Sequence, residues 1–184
     1  MYGLVNRAIE QMVCQGHGEE VWEDIKNAAG VEEQMFISSD SYDDAITYRL
    51  VGSASAILCV HASEILEKFG RHWILKTAKE GYGELLRAAG DDVGSFLRNL
   101  PNFHTRVKLL YPHLTPPVFV CEDLSESSLR LHYHSTRAGL APFVRGLLLG
   151  IGELFATPVV IEQTGTRDQG LDHDVFTVSW SRAA

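Results

Sequence analysis

Cysteine is scarce in this chain, with three among 184 residues. Cys14, Cys59 and Cys121 are odd in number and far apart in sequence. Such a set forms neither a complete disulfide framework nor a cysteine-based zinc motif. The three thiols are typical of a reduced cytoplasmic protein.

Positive charge is also in short supply. The chain has 16 Lys and Arg against 24 Asp and Glu, which gives a formal net charge of −8. Nucleic-acid binding requires clustered Lys and Arg, so this balance argues against it. It is equally unfavourable for an anionic membrane surface.

Long apolar runs and common catalytic motifs are missing as well. Glu10 interrupts the apolar run after Arg7, so the start of the chain does not form a signal pattern. The longest apolar tract, near Ala138 to Ile151, is broken by Arg145 and is too short to span a bilayer. Ser135 has no Gly-x-Ser-x-Gly elbow, and there is no phosphate-binding glycine loop. We expect a cytoplasmic protein that is not itself an enzyme and binds neither nucleic acid nor membrane.

The order of predicted elements indicates an α+β fold. Apolar residues at helical spacing, with glycines where the pattern stops, predict the helices. The first three run from Leu4 to before Gly16 or Gly18, from Val21 to Gly30, and from about Tyr42 to Leu58 after a cap at Asp40-Ser41. Further helices begin at Ala62, run from Tyr82 to Ala88, begin at Asp91-Asp92 with a kink at Pro101, and run from Gly139 to Phe155. Predicted strands are Val118 to Cys121, Leu129 to Arg137, Val159 to Thr164 and Val175 to Trp180. This order predicts one domain, 1–184, with a helical part of about 1–111 and a part of about 112–184 that contains a four-stranded antiparallel sheet and flanking helices.

The second predicted strand carries the most informative side chains. Leu129, Leu131, Tyr133, Ser135 and Arg137 alternate with polar neighbours and would share one face. The last three can donate hydrogen bonds, and a guanidinium suits a carboxylate or phosphate. An apolar helix follows directly, so the pattern favours a ligand that is apolar at one end and acidic at the other. The alternative is an ordinary strand with a surface arginine.

A histidine lies on the apolar face of a predicted helix upstream. The residues at helical spacing are Phe96, Leu97, Leu100, Phe103, His104 and Val107. A histidine in this position is usually a core residue with one satisfied ring nitrogen. The functional alternative is an axial ligand to haem iron, and haem has both an apolar macrocycle and two propionates.

These motifs resemble the haem-nitric oxide/oxygen binding (H-NOX) family, which includes the haem domain of soluble guanylate cyclase. The most specific signature is Tyr-x-Ser-x-Arg at Tyr133, Ser135 and Arg137, with Asn102-Phe103-His104 upstream. The resemblance runs in family order along the chain through Met1 to Asn6, Val21-Trp22-Glu23, Ala62 to Leu66, Phe69-Gly70, Gly81-Tyr82 and Thr115-Pro116-Pro117.

The resemblance implies a haem-based gas sensor. Haem b would lie non-covalently between the helical part and the sheet, because no Cys-x-x-Cys-His attachment motif is present. It implies that His104 is the proximal iron ligand and that Tyr133, Ser135 and Arg137 bind the propionates. It also implies that NO weakens the iron–histidine bond, and that the resulting change of conformation regulates a partner. Family partners are histidine kinases, cyclic-dinucleotide enzymes and guanylate cyclases.

The resemblance also bears on the choice of gas. Oxygen-binding members use a Tyr on the helix after the Tyr-x-Ser-x-Arg strand, whereas Ala138 to Gly152 contains none, and Pro142 and Phe143 stand nearest. The expected apolar distal wall consists of Leu4, Val5, Trp73, Phe143 and Leu147. Pro117, with its neighbours Thr115 and Pro116, and the first helix would shape the haem. We therefore expect binding of NO and CO without stable binding of O₂, with the indole N–H of Trp73 as the one alternative donor.

Two other interpretations stay open. The chain could be a binding or scaffold module of the same fold that takes another apolar acid. His132 and His134 form a His-x-His pair that can bind zinc, but no third ligand is near in sequence. Some family members carry a cysteine-based zinc site in the sheet, and Gly170 to Asp174 here has no cysteine. Gly146 and Gly150 indicate close helix packing in preference to a membrane dimer motif.

Overall fold

The protein is described by a computed structural model covering residues 1–110 and 115–181, without the side chain of Leu110. Helices precede the sheet in the chain, and one long helix lies between its second and third strands. The helices are α1 (Gly3–His17), α2 (Glu19–Ala28), α3 (Asp44–Leu58), α4 (Ala62–His72), α5 (Lys79–Arg87), α6 (Val93–Arg98), α7 (Leu100–Leu110) and α8 (Ala141–Leu154). The strands are β1 (Val118–Ser125), β2 (Ser128–His134), β3 (Val159–Gly165) and β4 (Asp174–Trp180).

The four strands form one antiparallel sheet in the order β1-β2-β4-β3. In the register, Leu131 of β2 lies between Cys121 of β1 and Phe176 of β4. Leu129, Leu131 and Tyr133 are buried on one face of β2, as their alternation predicts. The predicted α+β fold is therefore confirmed.

The second strand is shorter than predicted. β2 ends at His134, so Ser135 and Arg137 lie in the segment after the strand. The backbone N–H of Arg137 donates to Ser135 Oγ at 3.1 Å, a local turn of the kind that serine favours. The positions of the Ser135 and Arg137 side chains are therefore set by this turn and not by the alternation of side chains along a strand.

The start of α3 also differs from the sequence expectation. The helix begins at Asp44, and its cap is Asp43, not Asp40-Ser41. Asp43 Oδ1 accepts from the backbone N–H of Ala45 at 2.9 Å. Several acidic and hydroxyl residues precede this helix, and each is a good cap by type, so composition alone does not select the position.

α4 and α5 form one continuous helical stretch with a π-helical segment, Trp73–Ala78, between them. The predicted short helix from Tyr82 to Ala88 is thus the end of a longer one. Tyr82 leaves helical geometry at φ −139° and ψ 28°, which bends α5. π-helical segments widen the helix locally and often occur at functional sites.

The segment expected to be one kinked helix is two helices. Asp92 caps α6 by accepting from the Ser95 N–H at 2.8 Å, while Ser95 Oγ accepts from the Asp92 N–H at 3.1 Å. α6 ends at Arg98 with Asn99 as its C-cap, and Pro101 lies in the first turn of α7. Proline cannot donate to the carbonyl four residues earlier, which belongs to Leu97. The Cys121 thiol donates to that carbonyl at 3.1 Å, which ties β1 to the break between the helices.

Two clusters of buried apolar residues form the core. One belongs to α1–α4 and includes Ile9, Trp22 and Leu50, all nearly inaccessible. The other joins α5–α8 to the inner face of the sheet and includes Phe96, Leu129, Leu131 and Val144. Trp73, in the π-helical segment, packs against both clusters.

α4 and α8 cross at very close range. A Cβ built on Gly146 would lie 2.0 Å from the carbonyl oxygen of Glu67, and one on Gly70 would lie 2.2 Å from that of Phe143. Only glycine at these positions allows the two backbones to approach this closely. The expected packing role of Gly146 is what the structure shows.

Within the described ranges, no single helix is long and apolar enough to cross a membrane. Asp44–Leu58 and Ala62–Arg87 satisfy the length and composition criterion only as a pair, and they are bent by 114° where they meet.

Candidate functional site

A cavity of about 240 Å³ lies among α1, the α4–α5 stretch, α7, α8 and the adjoining strands β1 and β2. Its wall contains all ten residues singled out from the sequence: Leu4, Val5, Trp73, His104, Pro117, Tyr133, Ser135, Arg137, Phe143 and Leu147. Residues separated by more than 140 positions therefore meet at one site.

The polar end of the cavity is built around Arg137. Its Nε donates to Asp44 Oδ2 at 2.7 Å, its Nη2 donates to Asp44 Oδ1 at 3.4 Å, and its Nη1 donates to the Thr115 carbonyl at 3.0 Å. A guanidinium has five N–H groups, so two remain for a further acceptor. Asp44 also accepts from the amino group of Met1.

The titration of Asp44 reflects these contacts. Burial alone would raise the pKa of Asp44, but the hydrogen bonds from Met1 and Arg137 and their positive charges outweigh that effect and lower it. The carboxylate is therefore ionised at neutral pH and forms an ion pair with Arg137.

Tyr133 and Ser135 provide neutral donors at the same end. Burial raises the pKa of Tyr133, and a hydrogen bond with Ser135 only partly offsets this. The phenol thus stays protonated at neutral pH and remains a donor. Its ring packs against Phe119, with centroids 5.3 Å apart.

His104 of α7 lies in the same wall. Its ring stacks on Phe119, with centroids 5.3 Å apart and an interplanar angle of 13°. Although the residue is partly exposed, its Nδ1 is fully buried and has no hydrogen-bond partner in the described structure. Burial lowers the pKa of His104 to about 4, so the imidazole is neutral at pH 7 and has a free lone pair. A neutral imidazole of this kind is a good ligand for iron.

Aromatic and aliphatic side chains line the rest of the cavity. Phe69 and Phe143 pack with centroids 5.1 Å apart, and Trp73 lies 6.0 Å from the first and 6.5 Å from the second. The close α4–α8 crossing holds these rings together, because Phe69 and Phe143 sit beside its glycines. Leu4 and Val5 of α1 complete this apolar wall.

Sequence reasoning missed several members of the wall. Further lining residues are Tyr2, Thr47, Val51, Leu66, Phe69, Ala78, Tyr82, Phe103, Val107, Phe119, Leu140 and Val144. Tyr2 and Tyr82 carry hydroxyl groups, and both have partners of their own within the protein. Both residues belong to stretches that resemble the family, so this resemblance could have identified them as lining residues. The Thr47 hydroxyl donates to Asn6 Oδ1 at 2.7 Å. No sequence pattern pointed to the Asp44–Arg137 pair.

Comparison with known proteins gives a consistent result. Residues 2–163 match the family model described as Haem-NO-binding. The chain is 29% identical over 183 residues to soluble guanylate cyclase gcy-31 of Caenorhabditis elegans, covering 98% of this chain and 26% of that protein. It is 31% identical over 191 residues to gcy-35 of the same organism, covering 97% of this chain and 27% of that protein. The chain thus spans about a quarter of the length of these relatives.

Solved structures show the same fold. An H-NOX protein from S. oneidensis in the Fe(II)NO state superposes with a TM-score of 0.89 at 21% identity, covering 99% of this chain and 100% of that one. The NMR structure of an H-NOX domain from Shewanella oneidensis in the Fe(II)CO state gives 0.88 at 21% identity and covers both chains completely. With the family model matching most of its length, the chain belongs to the Haem-NO-binding (H-NOX) family.

Proposed function

We propose that this chain is a gas-sensing domain that holds haem b non-covalently in the cavity, with His104 as the protein ligand to iron. The observation that carries the proposal is the neutral His104 ring, whose buried Nδ1 lacks a partner in the wall of an apolar cavity. A neutral imidazole in the wall of an apolar cavity offers a nitrogen lone pair to a metal bound in that cavity.

The propionates would lie at the polar end, near Tyr133, Ser135 and Arg137. Arg137 retains two N–H groups beyond its bonds to Asp44 and Thr115, and Tyr133 remains a protonated donor. A guanidinium and neutral hydrogen-bond donors at one end of an apolar cavity fit a ligand that has an apolar body and two carboxylates. The residues present therefore fit the group that the family name implies.

The gas preference follows from the apolar wall. Retention of O₂ needs a distal hydrogen-bond donor, whereas NO and CO do not. α8 contains no tyrosine, and Phe143 and Leu147 face the cavity with side chains that cannot donate. We propose NO and CO as ligands and no stable binding of O₂, with Trp73 acting as a packing residue.

Signalling would run through α7. When bound, haem would supply an iron atom that takes up NO, and His104 would be the residue whose hold on that iron NO weakens. The stacking of His104 on Phe119 would then be weaker than the lost bond as a tether between α7 and β1, and α7 could shift. Such a shift supplies the two states that regulation of a partner requires. The partner would be a guanylate cyclase, a histidine kinase or a cyclic-dinucleotide enzyme.

Haem content tests this proposal directly. Purified wild-type protein should show a Soret band and about one haem per chain. His104→Gly should purify nearly free of haem, and added imidazole should restore binding because it replaces the missing ligand. His17→Gly, which makes the same change at an exposed histidine in the last turn of α1, should bind haem normally.

The other outcomes are equally informative. Normal haem content and an unchanged ferrous spectrum in His104→Gly would refute the ligand assignment. A wild-type protein that takes up no haem, even after reconstitution, would favour the rival function of a binding module for another apolar acid.

A further inference from the structure

Three histidines meet on the outer face of the sheet, away from the cavity. His132 and His134 alternate with the buried residues Leu131 and Tyr133 of β2, so both face outward. His173 comes from the connection between β3 and β4. The antiparallel register pairs Tyr133 with Asp174, and one step further brings His173 beside His134.

The three rings are in contact. His132 Nδ1 and His173 Nε2 are 2.8 Å apart. His134 stacks on His173 with ring centroids 4.0 Å apart. Ligand atoms of His134, Asp172 and His173 all lie within 4.8 Å of one another. In a tetrahedral zinc site with bonds of about 2.0–2.1 Å, neighbouring ligand atoms are roughly 3.3 Å apart. The group formed by His134, Asp172 and His173 is therefore wider than a closed zinc site and would have to contract around a bound metal.

A carboxylate hydrogen-bonds to the other nitrogen of one of these rings, and a second carboxylate lies near the other nitrogen of another. His173 Nδ1 hydrogen-bonds to Asp172 Oδ1, which leaves Nε2 toward His132. His132 Nε2 lies 3.8 Å from Glu122 Oε2, which leaves Nδ1 toward His173. Metal-binding histidines commonly have their second ring nitrogen oriented by a carboxylate in this way. His132 Nδ1 and His173 Nε2 therefore face each other.

We propose that His132, His134 and His173 form a binding site for a divalent transition-metal ion of the zinc type. Asp172 and Glu122 act as positioning residues, and water takes the open fourth position. Imidazole ligands select zinc, copper or nickel over magnesium and calcium, which prefer oxygen. The metal would tie the β3–β4 connection to the end of β2, just before Ser135 and Arg137.

The sequence alone argued against zinc here, because no third ligand lies near the His-x-His pair. The third ligand is 41 residues from His132 and reaches it through the pairing of β2 with β4. The loop from Gly170 to Asp174 also lacks cysteine, so its side chains offer imidazole and carboxylate ligands only.

Zinc binding to untagged, chelator-treated protein tests the proposal. Titration in competition with a chromophoric chelator should give one Zn²⁺ per chain, and Zn²⁺ should raise the melting temperature. Asp172→Asn should weaken affinity by roughly 10- to 100-fold, the usual effect of losing an outer-shell partner, and His173→Gln should weaken it further. His17→Gln, at an exposed histidine on α1, should bind as wild type does.

Two results would overturn the site. One is wild-type affinity no higher than that of His173→Gln. The other is an equal loss in His17→Gln, which would indicate adventitious surface binding. Far-UV circular dichroism checks that each variant is folded. If His173→Gln does not fold, Asp172→Asn decides the question, because the Asp172 side chain is 84% exposed and tolerates replacement.

Discussion

At the scale of single residues, Arg137 connects several parts of the site through its hydrogen bonds. It holds Asp44 of α3 and the Thr115 carbonyl, and its own backbone bonds to Ser135. It therefore links the helical part to the segment after β2. Charge-assisted bonds are roughly twice as strong as neutral ones, so Arg137 should contribute more to a bound carboxylate than Ser135 does.

We predict that Arg137→Ala loses haem faster than Ser135→Ala, because its removal leaves propionates underpaired. Transfer of haem to apomyoglobin measures the rates. Arg130→Ala is the matched control, since Arg130 lies on the opposite face of β2 and pairs with Glu122. Equal rates for the wild type and the Arg137 and Ser135 variants would contradict the assignment.

At the scale of elements, local signals located the helices and strands, and contacts between elements decided where they end. The pattern around His104 placed it on the apolar face of a helix. It did not show that Pro101 separates α6 from α7. That break depends on a contact between elements, because the Leu97 carbonyl that Pro101 leaves free accepts a hydrogen bond from the Cys121 thiol of β1. The end of β2 and the contact of His173 with His132 depend on strand register in the same way.

All ten residues chosen from the sequence line one cavity. They could be chosen because the resemblance to the family implies where the iron ligand, the propionate ligands and the distal wall lie. Their roles stay predictions. The Asp44–Arg137 pair was not foreseen, because 93 residues separate its members and neither stands in a pattern that indicates the other. Contacts between residues far apart along the chain are the feature that a single sequence indicates most weakly.

The α4–α8 crossing gives a stability prediction. Gly146→Ala places a Cβ against the Glu67 carbonyl and should lower the free energy of unfolding by about 1–3 kcal/mol, the usual cost of overpacking. Gly52→Ala, at an exposed position of α3 with open space around it, should instead raise it by roughly 0.4–1 kcal/mol. Urea denaturation of both variants measures this. A neutral or stabilising Gly146→Ala would show that the helices can separate without cost.

The signalling prediction concerns the mobility of α7. If release of His104 frees α7, hydrogen exchange in 91–108 should be faster in the NO-bound protein than in the ferrous protein without gas. Exchange in α2 (Glu19–Ala28), which does not line the cavity, serves as the internal reference. Identical exchange in 91–108 with and without NO would count against this route.

At the scale of the whole molecule, the cavity lies where the two apolar cores meet. Trp73 contacts both, and the polar end is closed by a bond between α3 and the segment after β2. A ligand held at this junction touches both cores at once. Under the proposed function, a change at the ligand would alter how the two cores pack, as a sensor requires.

The absorption spectrum of the ferrous protein, recorded first in air and then with NO, tests the central claim most directly. An apolar wall without a tyrosine on α8 predicts a haem Soret band that shows no stable oxygenated form in air and shifts on addition of NO. A stable oxygenated spectrum would contradict the gas assignment, and the absence of any Soret band would contradict the haem site itself.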